Sequence, residues 1–369
     1  MKTVGTVAGA TSLGGIAIAE GDGGDRTRWD GWTTFRSGPR HAGATGDSGP
    51  TPYATTDWRA DLDGSMAFNE SQPVVADGTL YLAVTTDAGW LERSTGYVAA
   101  LDAETGETKW KRGNFGKPNP PTVVDDTVYV ATRVSRTSGK SGLFALDAAT
   151  GETTWSRTDN SAWETPVVAD GRIYASIADS YARGGPAARA FDAETGETLW
   201  GRDRSGGTPF YADGTVFYGE GTALNADDGS LRWEVSEGPD WRSSHSVLQT
   251  VADGLVFGTV RRDDADVVQA RSASDGSLQW ERASGEGRYY NRLTVADGRV
   301  FASTDGAVTA LDAETGAPAW TKALQVTHAS SATAADGTLY VGGQGARDAG
   351  DAAERPVVVA LDAASGERR

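Results

Sequence analysis

Ala100-Leu101-Asp102-Ala103-Glu104-Thr105-Gly106-Glu107-Thr108-Lys109-Trp110 decides the fold, because the chain keeps returning to it. The pattern recurs at Ala145–Trp155, Ala190–Trp200 and Ala310–Trp320, more loosely at Ala223–Trp233 and Ala270–Trp280, and without its tryptophan at Ala360–Arg369. Spacings of 33 to 47 residues between these tryptophans identify a repeat architecture. A second piece lies upstream of each copy: Pro73-Val-Val-Ala-Asp77-Gly78-Thr-Leu-Tyr81, then Pro121–Tyr129, Pro166–Tyr174, Pro209–Phe217, Gln249–Phe257, Leu293–Phe301 and Ala332–Tyr340. Each is a short apolar run, a two-residue turn of Asp-Gly (Asp125-Asp126 in the second copy) and another β-branched or aromatic run. That is a hairpin signal, since tight primed turns need positive φ.

The Asp-Ala-x-Thr-Gly piece reads as a second strand–turn–strand. Asp102 is placed to hydrogen-bond its own turn, and Gly106 to take the left-handed position. Two hairpins per repeat make a four-stranded antiparallel sheet, and seven copies make seven sheets. Such sheets bury both faces by stacking in a ring, with the tryptophans filling the gaps between neighbours. The expected fold is therefore an all-β propeller of seven four-stranded blades. The last copy stops one step short of its tryptophan, while Trp58-Arg59-Ala60-Asp61-Leu62 has no turn before it, so a strand near Trp58 is expected to close the ring. Eight blades are the alternative, if residues 29–57 form a degenerate blade.

Ala-x-Asp-Ala-x-Thr-Gly-x-x-x-Trp resembles the tryptophan-docking repeat of pyrroloquinoline quinone (PQQ) repeat propellers. That superfamily includes quinoprotein alcohol dehydrogenases and the BamB lipoproteins. The resemblance covers residues 58–369. Trp32-Thr-Thr-Phe35-Arg36, followed by Arg40 and Gly43, is similar to the lead-in before the first blade of many such proteins. The resemblance implies the fold but not the quinone, since many members bind none.

Residues 1–19 are uncharged after Lys2, modestly apolar, and end in Ala17-Ile18-Ala19. They resemble the tail of a twin-arginine export signal whose arginines are absent; a disordered leader is the other reading. Residues 20–57 are expected to be a polar linker and lead-in, with 37–57 running over the surface and His41 exposed. Net charge is −17, with 51 Asp and Glu against 34 Lys and Arg. Only 6 of those cations are Lys. This acidic, Lys-poor composition resembles that of proteins from salt-loving archaea, and it argues against nucleic acid and anionic membranes. The chain has no cysteine, hence no disulfide, thiol chemistry or lipid-anchor cysteine.

Function is expected where the chain approaches each blade's first strand. Aligned on the Asp-Gly turns, one position is Asn69, Lys117, Ala162, Ser205, His245, Tyr289 and His328; the next is Glu70, Pro118, Trp163, Gly206, Ser246, Tyr290 and Ala329. Glu164, Asn291 and Arg292 follow. Asn69, Glu70, Trp163, Glu164, His245, Tyr290, Asn291, Arg292 and His328 thus form a candidate ligand site of polar groups among aromatics. A water-lined channel is the plainer reading of the same positions. No shared metal is expected, because His245 and His328 belong to blades five and seven. Asp61-x-Asp63-Gly64 and Asp263-Asp264-Ala265-Asp266 lack the spacing of a calcium loop and are expected to be solvated acidic turns. Trp90 and Tyr181 fall in insertions between strands.

Two functional classes follow. The first is an exported or cell-surface, non-catalytic propeller, monomeric, without a membrane span or cofactor, binding protein, peptide or glycan on one face. The second is a PQQ-dependent dehydrogenase of an alcohol or sugar. Dehydrogenases of the resembled superfamily hold the quinone between a tryptophan and a vicinal disulfide, beside Ca²⁺. The missing cysteines remove that sandwich, and only Trp163, Glu70, Glu164, Asn69 and Asn291 are left for the remaining parts.

Overall fold

The computed structural model describes residues 31–46, 57–64, 72–87, 95–133, 141–158, 162–177, 187–203, 206–235, 248–262, 265–283, 292–304, 306–327, 329–345 and 356–369. The fold is all-β, with seven antiparallel four-stranded sheets, the blade content of a seven-bladed β-propeller. Sheet 2 shows the plan: Thr122–Val124, Thr127–Ala131, Leu143–Asp147 and Thr153–Arg157 pair in chain order. In sheet 7 the strands Thr333–Ala335, Thr338–Gly345 and Pro356–Asp362 pair likewise, and the fourth place is a single bridge from Leu361 to Arg368. The chain divides into two compact units. Residues 26–40 and 57–234 hold sheets 1 to 4; residues 1–25, 41–56 and 235–369 hold sheets 5 to 7.

Both turn types form for the expected reasons. In six of the seven first hairpins both central residues have positive φ, as at Asp77 (44°) and Gly78 (66°). The second copy has Asp125 at 50° without a glycine after it. In the Asp-Ala-x-Thr-Gly turn, Asp102 Oδ1 accepts the backbone N–H of Glu104 and Thr105 and the Thr105 hydroxyl at 3.0 to 3.1 Å. Asp147, Asp192, Asp312 and Asp362 repeat the arrangement.

Within each unit, tryptophans join one sheet to the next. Trp110 Nε1 donates to Ala148 O (2.8 Å) and its ring lies on Gly151. Trp155, Trp200, Trp280 and Trp320 dock in the same way on Ala193 and Gly196, Ala226 and Gly229, Ala313 and Gly316, and Ala363 and Gly366. A methyl group on Gly151 would sit 2.6 Å from the Trp110 ring, so no other residue fits. Two residues after the tryptophan, Arg112, Arg157, Arg202 and Arg282 donate Nε to the carbonyl of that same glycine. Trp58 docks on Ala103 O (3.0 Å) and Gly106, the place that elsewhere receives the tryptophan of the preceding sheet. It does so from residues 57–62, which form no regular strand.

The lead-in departs from expectation. Residues 37–46 do not run loose over the surface, and no eighth blade forms from them. Gly31–Trp32 pairs with Val75 and Ala76 of sheet 1, and Ala44–Thr45 pairs in parallel with Ala334 and Ala335 of sheet 7. Between these strands, Val123 N–H donates to Thr33 O, Tyr211 N–H to Pro39 O, Val295 N–H to Ala42 O and Ala334 N–H to Gly43 O. Thr34, Phe35, Arg36 and His41 are at most 3 % exposed, so His41 is a buried residue, not a surface one. The reason is the free edge of the first strands in sheets 1, 2, 4, 6 and 7: their outward N–H groups need acceptors, and the lead-in carbonyls supply them. Positive φ at Arg36, Ser37, Gly38, His41 and Gly43 lets the segment bend to do so.

Two predictions follow from these contacts. Gly151→Ala lowers stability by about 3 kcal/mol, combining left-handed strain with displacement of Trp110. Gly78→Ala, with φ +66° and open space around it, costs about 1 kcal/mol; denaturant titration of both variants checks the difference. Asp362 is pulled down to about 2, first by Arg369 and then by Ser365. A folded pKa below the unfolded one gives stability that is present above the ordinary value of 3.8 and lost as pH falls towards 2. Asp362→Asn should therefore melt below the parent at pH 7, and the gap should close in thermal scans as pH approaches 2.

Candidate functional site

Each sheet has two ends. The Asp-Gly and Asp-Ala turns occupy one; the approach segments and the connection between second and third strands occupy the other. The approach end of sheets 2 to 4, all in one unit, gathers four charged side chains. Lys117 precedes sheet 2, Arg133 follows its second strand, Glu164 precedes sheet 3, and Glu220 stands in the short connection of sheet 4. Arg133 Nη2 meets Glu164 Oε1 at 2.5 Å, with side chains 28 % and 15 % exposed. This ion pair is partly desolvated and stronger than an open surface pair.

The backbone fixes each of the four. Arg133 N–H donates to Lys117 O (2.9 Å) and Glu164 N–H to Ser176 O (3.0 Å). Glu220 N–H donates to Gly206 O (3.0 Å), and the Gly206 backbone lies beside the Glu220 carboxylate. A side chain on Gly206 would meet that carboxylate at 2.6 Å, so the glycine is what lets Glu220 settle there. Lys117 holds a left-handed φ of +47°, a strained position for a lysine. Burial and then the neighbouring Arg133 depress its ammonium pKa. Glu220 is solvent-accessible, yet surrounding protein and then the Glu164 charge raise its carboxyl pKa.

Among the sequence candidates, Trp163 lies here but faces inward. It is fully buried, packed edge-on to Phe191 at 5.7 Å, with the Arg189 guanidinium 5.3 Å above its ring. Its carbonyl accepts Asn119 Nδ2 at 2.7 Å. It is a core residue, not an open stacking surface. Arg292 belongs to the other unit, where its N–H donates to Ser331 Oγ at 3.1 Å. Asn69, Glu70, His245, Tyr290, Asn291 and His328 lie outside the described residues, as do Trp90 and Tyr181. Of the two acidic turns, Asp63 pairs with Lys111 at 3.4 Å. Asp266 is not solvated as expected: it is 1 % exposed and paired with Arg261 at 3.1 Å, because it stands on the third strand opposite that arginine. Among the described residues no group of three or more His, Cys, Asp or Glu could hold a metal ion.

Sequence reading missed Glu220. Its signal is the brevity of Gly219-Glu220-Gly221: where the repeats of sheets 1, 2, 3 and 7 insert longer connections, this one turns in three residues and fixes the carboxylate at the strand end.

Repeated tryptophan-docked sheets of this kind define a PQQ-repeat-type propeller protein. The model of the family described as outer membrane protein assembly factor BamB matches residues 94–236 and 219–369, and the chain belongs to that family. No curated protein matches the chain. Among solved structures it is similar to BamB from Moraxella catarrhalis (22 % identity, 72 % of this chain and 76 % of that one, TM-score 0.54). It is also similar to the quinohemoprotein alcohol dehydrogenase from Comamonas testosteroni (15 %, 92 % and 72 %, TM-score 0.57) and to the computationally designed Ika8 protein (14 %, 80 % and 84 %, TM-score 0.60). An assembly factor, an oxidoreductase and a designed protein share this fold, so these likenesses carry the fold alone.

Glu220→Gln tests the electrostatics of the site. A carboxyl whose folded pKa is raised destabilises the fold above that pKa, and the penalty fades as pH falls to the ordinary value of 4.5. The variant should melt above the parent at pH 7 and level with it near pH 4, in paired thermal scans.

Proposed function

We propose that this chain is an extracytoplasmic, non-catalytic propeller that binds a protein partner at the approach end of its sheets. The observation that carries the reading is the chemistry of that end in sheets 2 to 4. Charged side chains stand on fixed backbone there, while Trp163, the residue expected to stack on a flat cofactor, is sealed under Arg189 and against Phe191. Fixed charges of both signs suit recognition of a protein surface, where they give register and speed of encounter. Membership of a family named for an assembly factor supports a partner-binding role and a place outside the cytoplasm. Among the described residues no helix is long and apolar enough to cross a membrane.

The PQQ-dependent dehydrogenase reading fits these residues poorly. The chain has no cysteine, Trp163 offers no open ring face, and Glu164 is engaged by Arg133. Asn69, Glu70 and Asn291 lie outside the described residues.

Thermal melting of the full chain in molar salt, with and without millimolar PQQ and Ca²⁺, separates the two. A ligand of the folded state raises the midpoint with the logarithm of its concentration over Kd. No shift is expected; a rise of several degrees with PQQ-dependent dye reduction would establish the dehydrogenase. In parallel, a photo-crosslinking residue at position 117 or 220 should trap a discrete protein partner in the native host, and one at the exposed Leu231 of an outer strand should not.

A further inference from the structure

Three aromatic rings run from the core to the surface where sheet 3 meets sheet 4. Trp200, which docks on Gly229, lies 6.0 Å from Tyr174, tilted by 37°. Sheets 1 and 2 hold the same pair, Tyr81 with Trp110 and Tyr129 with Trp155, at 6.0 and 6.3 Å. Sheet 4 adds a third ring. Its first strand, Pro209–Ala212, stacks Tyr211 on Tyr174 at 5.7 Å and 8° from parallel. At the matching register sheet 2 has Val123 and sheet 3 has Val168. Trp200 and Tyr174 are buried, Tyr211 is half-buried, and Asp170 beyond it is exposed. The Tyr211 hydroxyl donates to Asp170 Oδ2 and accepts Gly214 N–H at 3.0 Å. Tyr174 and Trp200 instead both donate to one carbonyl, Ala226 O, at 3.4 and 3.0 Å.

We infer that Trp200, Tyr174 and Tyr211 form a path that carries a one-electron oxidation from the buried docking tryptophan to the surface, with Asp170 taking the proton. Each ring is in near contact with the next, the arrangement in which electrons pass fastest. The proton sets the direction. A tyrosine that loses an electron becomes a neutral radical only when its O–H bond also breaks. Tyr174 has only a peptide carbonyl to receive that proton, and such a carbonyl is too weak a base, so oxidised Tyr174 would hold a buried, uncompensated positive charge. Tyr211 has a carboxylate. A one-electron oxidant takes an electron from Trp200; Tyr211 gives one back through Tyr174, and its proton moves to Asp170. The products are the reduced oxidant, restored Trp200, a neutral tyrosyl at 211 and a protonated Asp170. A small one-electron reductant in the solvent, ascorbate for example, then supplies an electron to Tyr211 while Asp170 returns the proton. Burial and the Asp170 bond raise the Tyr211 phenol pKa, so the phenol carries its proton until it is oxidised. The path spares the indole, whose oxygenated products would no longer lie flat on Gly229.

The test exposes the full chain to light-generated tris(bipyridine)ruthenium(III) with a nitroso spin trap. Mass spectrometry of the digest then measures trap adducts on Tyr211 and kynurenine products of Trp200. The parent should carry the adduct on Tyr211 and leave Trp200 largely intact. Asp170→Asn keeps a hydrogen-bond acceptor but removes the base, and Tyr211→Phe keeps the ring but removes the proton; in both, Trp200 products should rise several-fold. Tyr174→Phe interrupts the path midway, so Trp200 products should rise while the Tyr211 adduct falls. Melting curves confirm that each variant folds. If Tyr174→Phe does not, Asp170→Asn, at the exposed end, decides alone. A parent without the Tyr211 adduct, unchanged Trp200 damage in Asp170→Asn, or an undiminished Tyr211 adduct in a folded Tyr174→Phe overturns the inference; the last result would mean that the oxidant strikes Tyr211 directly.

Discussion

Everything in this molecule depends on an indole ring lying flat on a glycine. At each docking seen inside a unit, the indole N–H satisfies a turn carbonyl while the ring occupies the space a Cβ would fill. The contact joins a hydrogen bond that must be made to an apolar area of the order of 200 Å². It works only because the turn places its glycine at φ near +70°, and in the Asp-Ala-x-Thr-Gly copies the turn is braced by its aspartate, which at Asp102 binds three donors. A following arginine adds a second bond to the same glycine in four copies. Sheet, turn and neighbour are thereby one cooperative arrangement, repeated.

Most of this was legible in the sequence because repetition turns weak local signals into strong ones. One Asp-Gly dipeptide suggests a turn; six copies and one Asp-Asp equivalent, each followed by a second turn that reads Asp-Ala-x-Thr-Gly in four cases, define the sheets and the register. The reading failed where nothing repeats. The lead-in has the composition of a linker, rich in Gly, Thr and Arg, and its burial comes from backbone carbonyls that meet strand edges distant in sequence. No side-chain pattern encodes that. His41 and Arg36 were hidden for the same reason. Asp266 looked like part of a solvated acidic run, and only the pairing of its strand with Arg261 shows otherwise.

The site was half legible. Aligning the repeats pointed to the approach segments, and Lys117, Trp163 and Glu164 do share that end of the unit. Alignment ranks positions but does not say which way a side chain turns. Trp163 turned into the core, where its indole is worth about 3 kcal/mol of apolar burial, and left the Arg133–Glu164 pair beside it partly buried. Glu220 lies on a different connection, so alignment of the approach segments passed it by. Its position comes from glycines on both sides and from Gly206 across the gap.

The lead-in also orders events in time. Its first part completes the edges of sheets 1, 2 and 4, which leave the ribosome early. Its last part, Ala44–Thr45, waits for Ala334 and Ala335 near the other end of the chain. Sheet 7 therefore cannot complete this edge until about 290 residues beyond Ala44 have been made, and until then an early segment must stay unpaired. Contacts so far apart in sequence are slow to form and leave strand edges open meanwhile. A chain of this design gains from being kept soluble and unpaired during synthesis. Its dense negative charge supplies one means, by repelling copies of the same unfinished chain from one another.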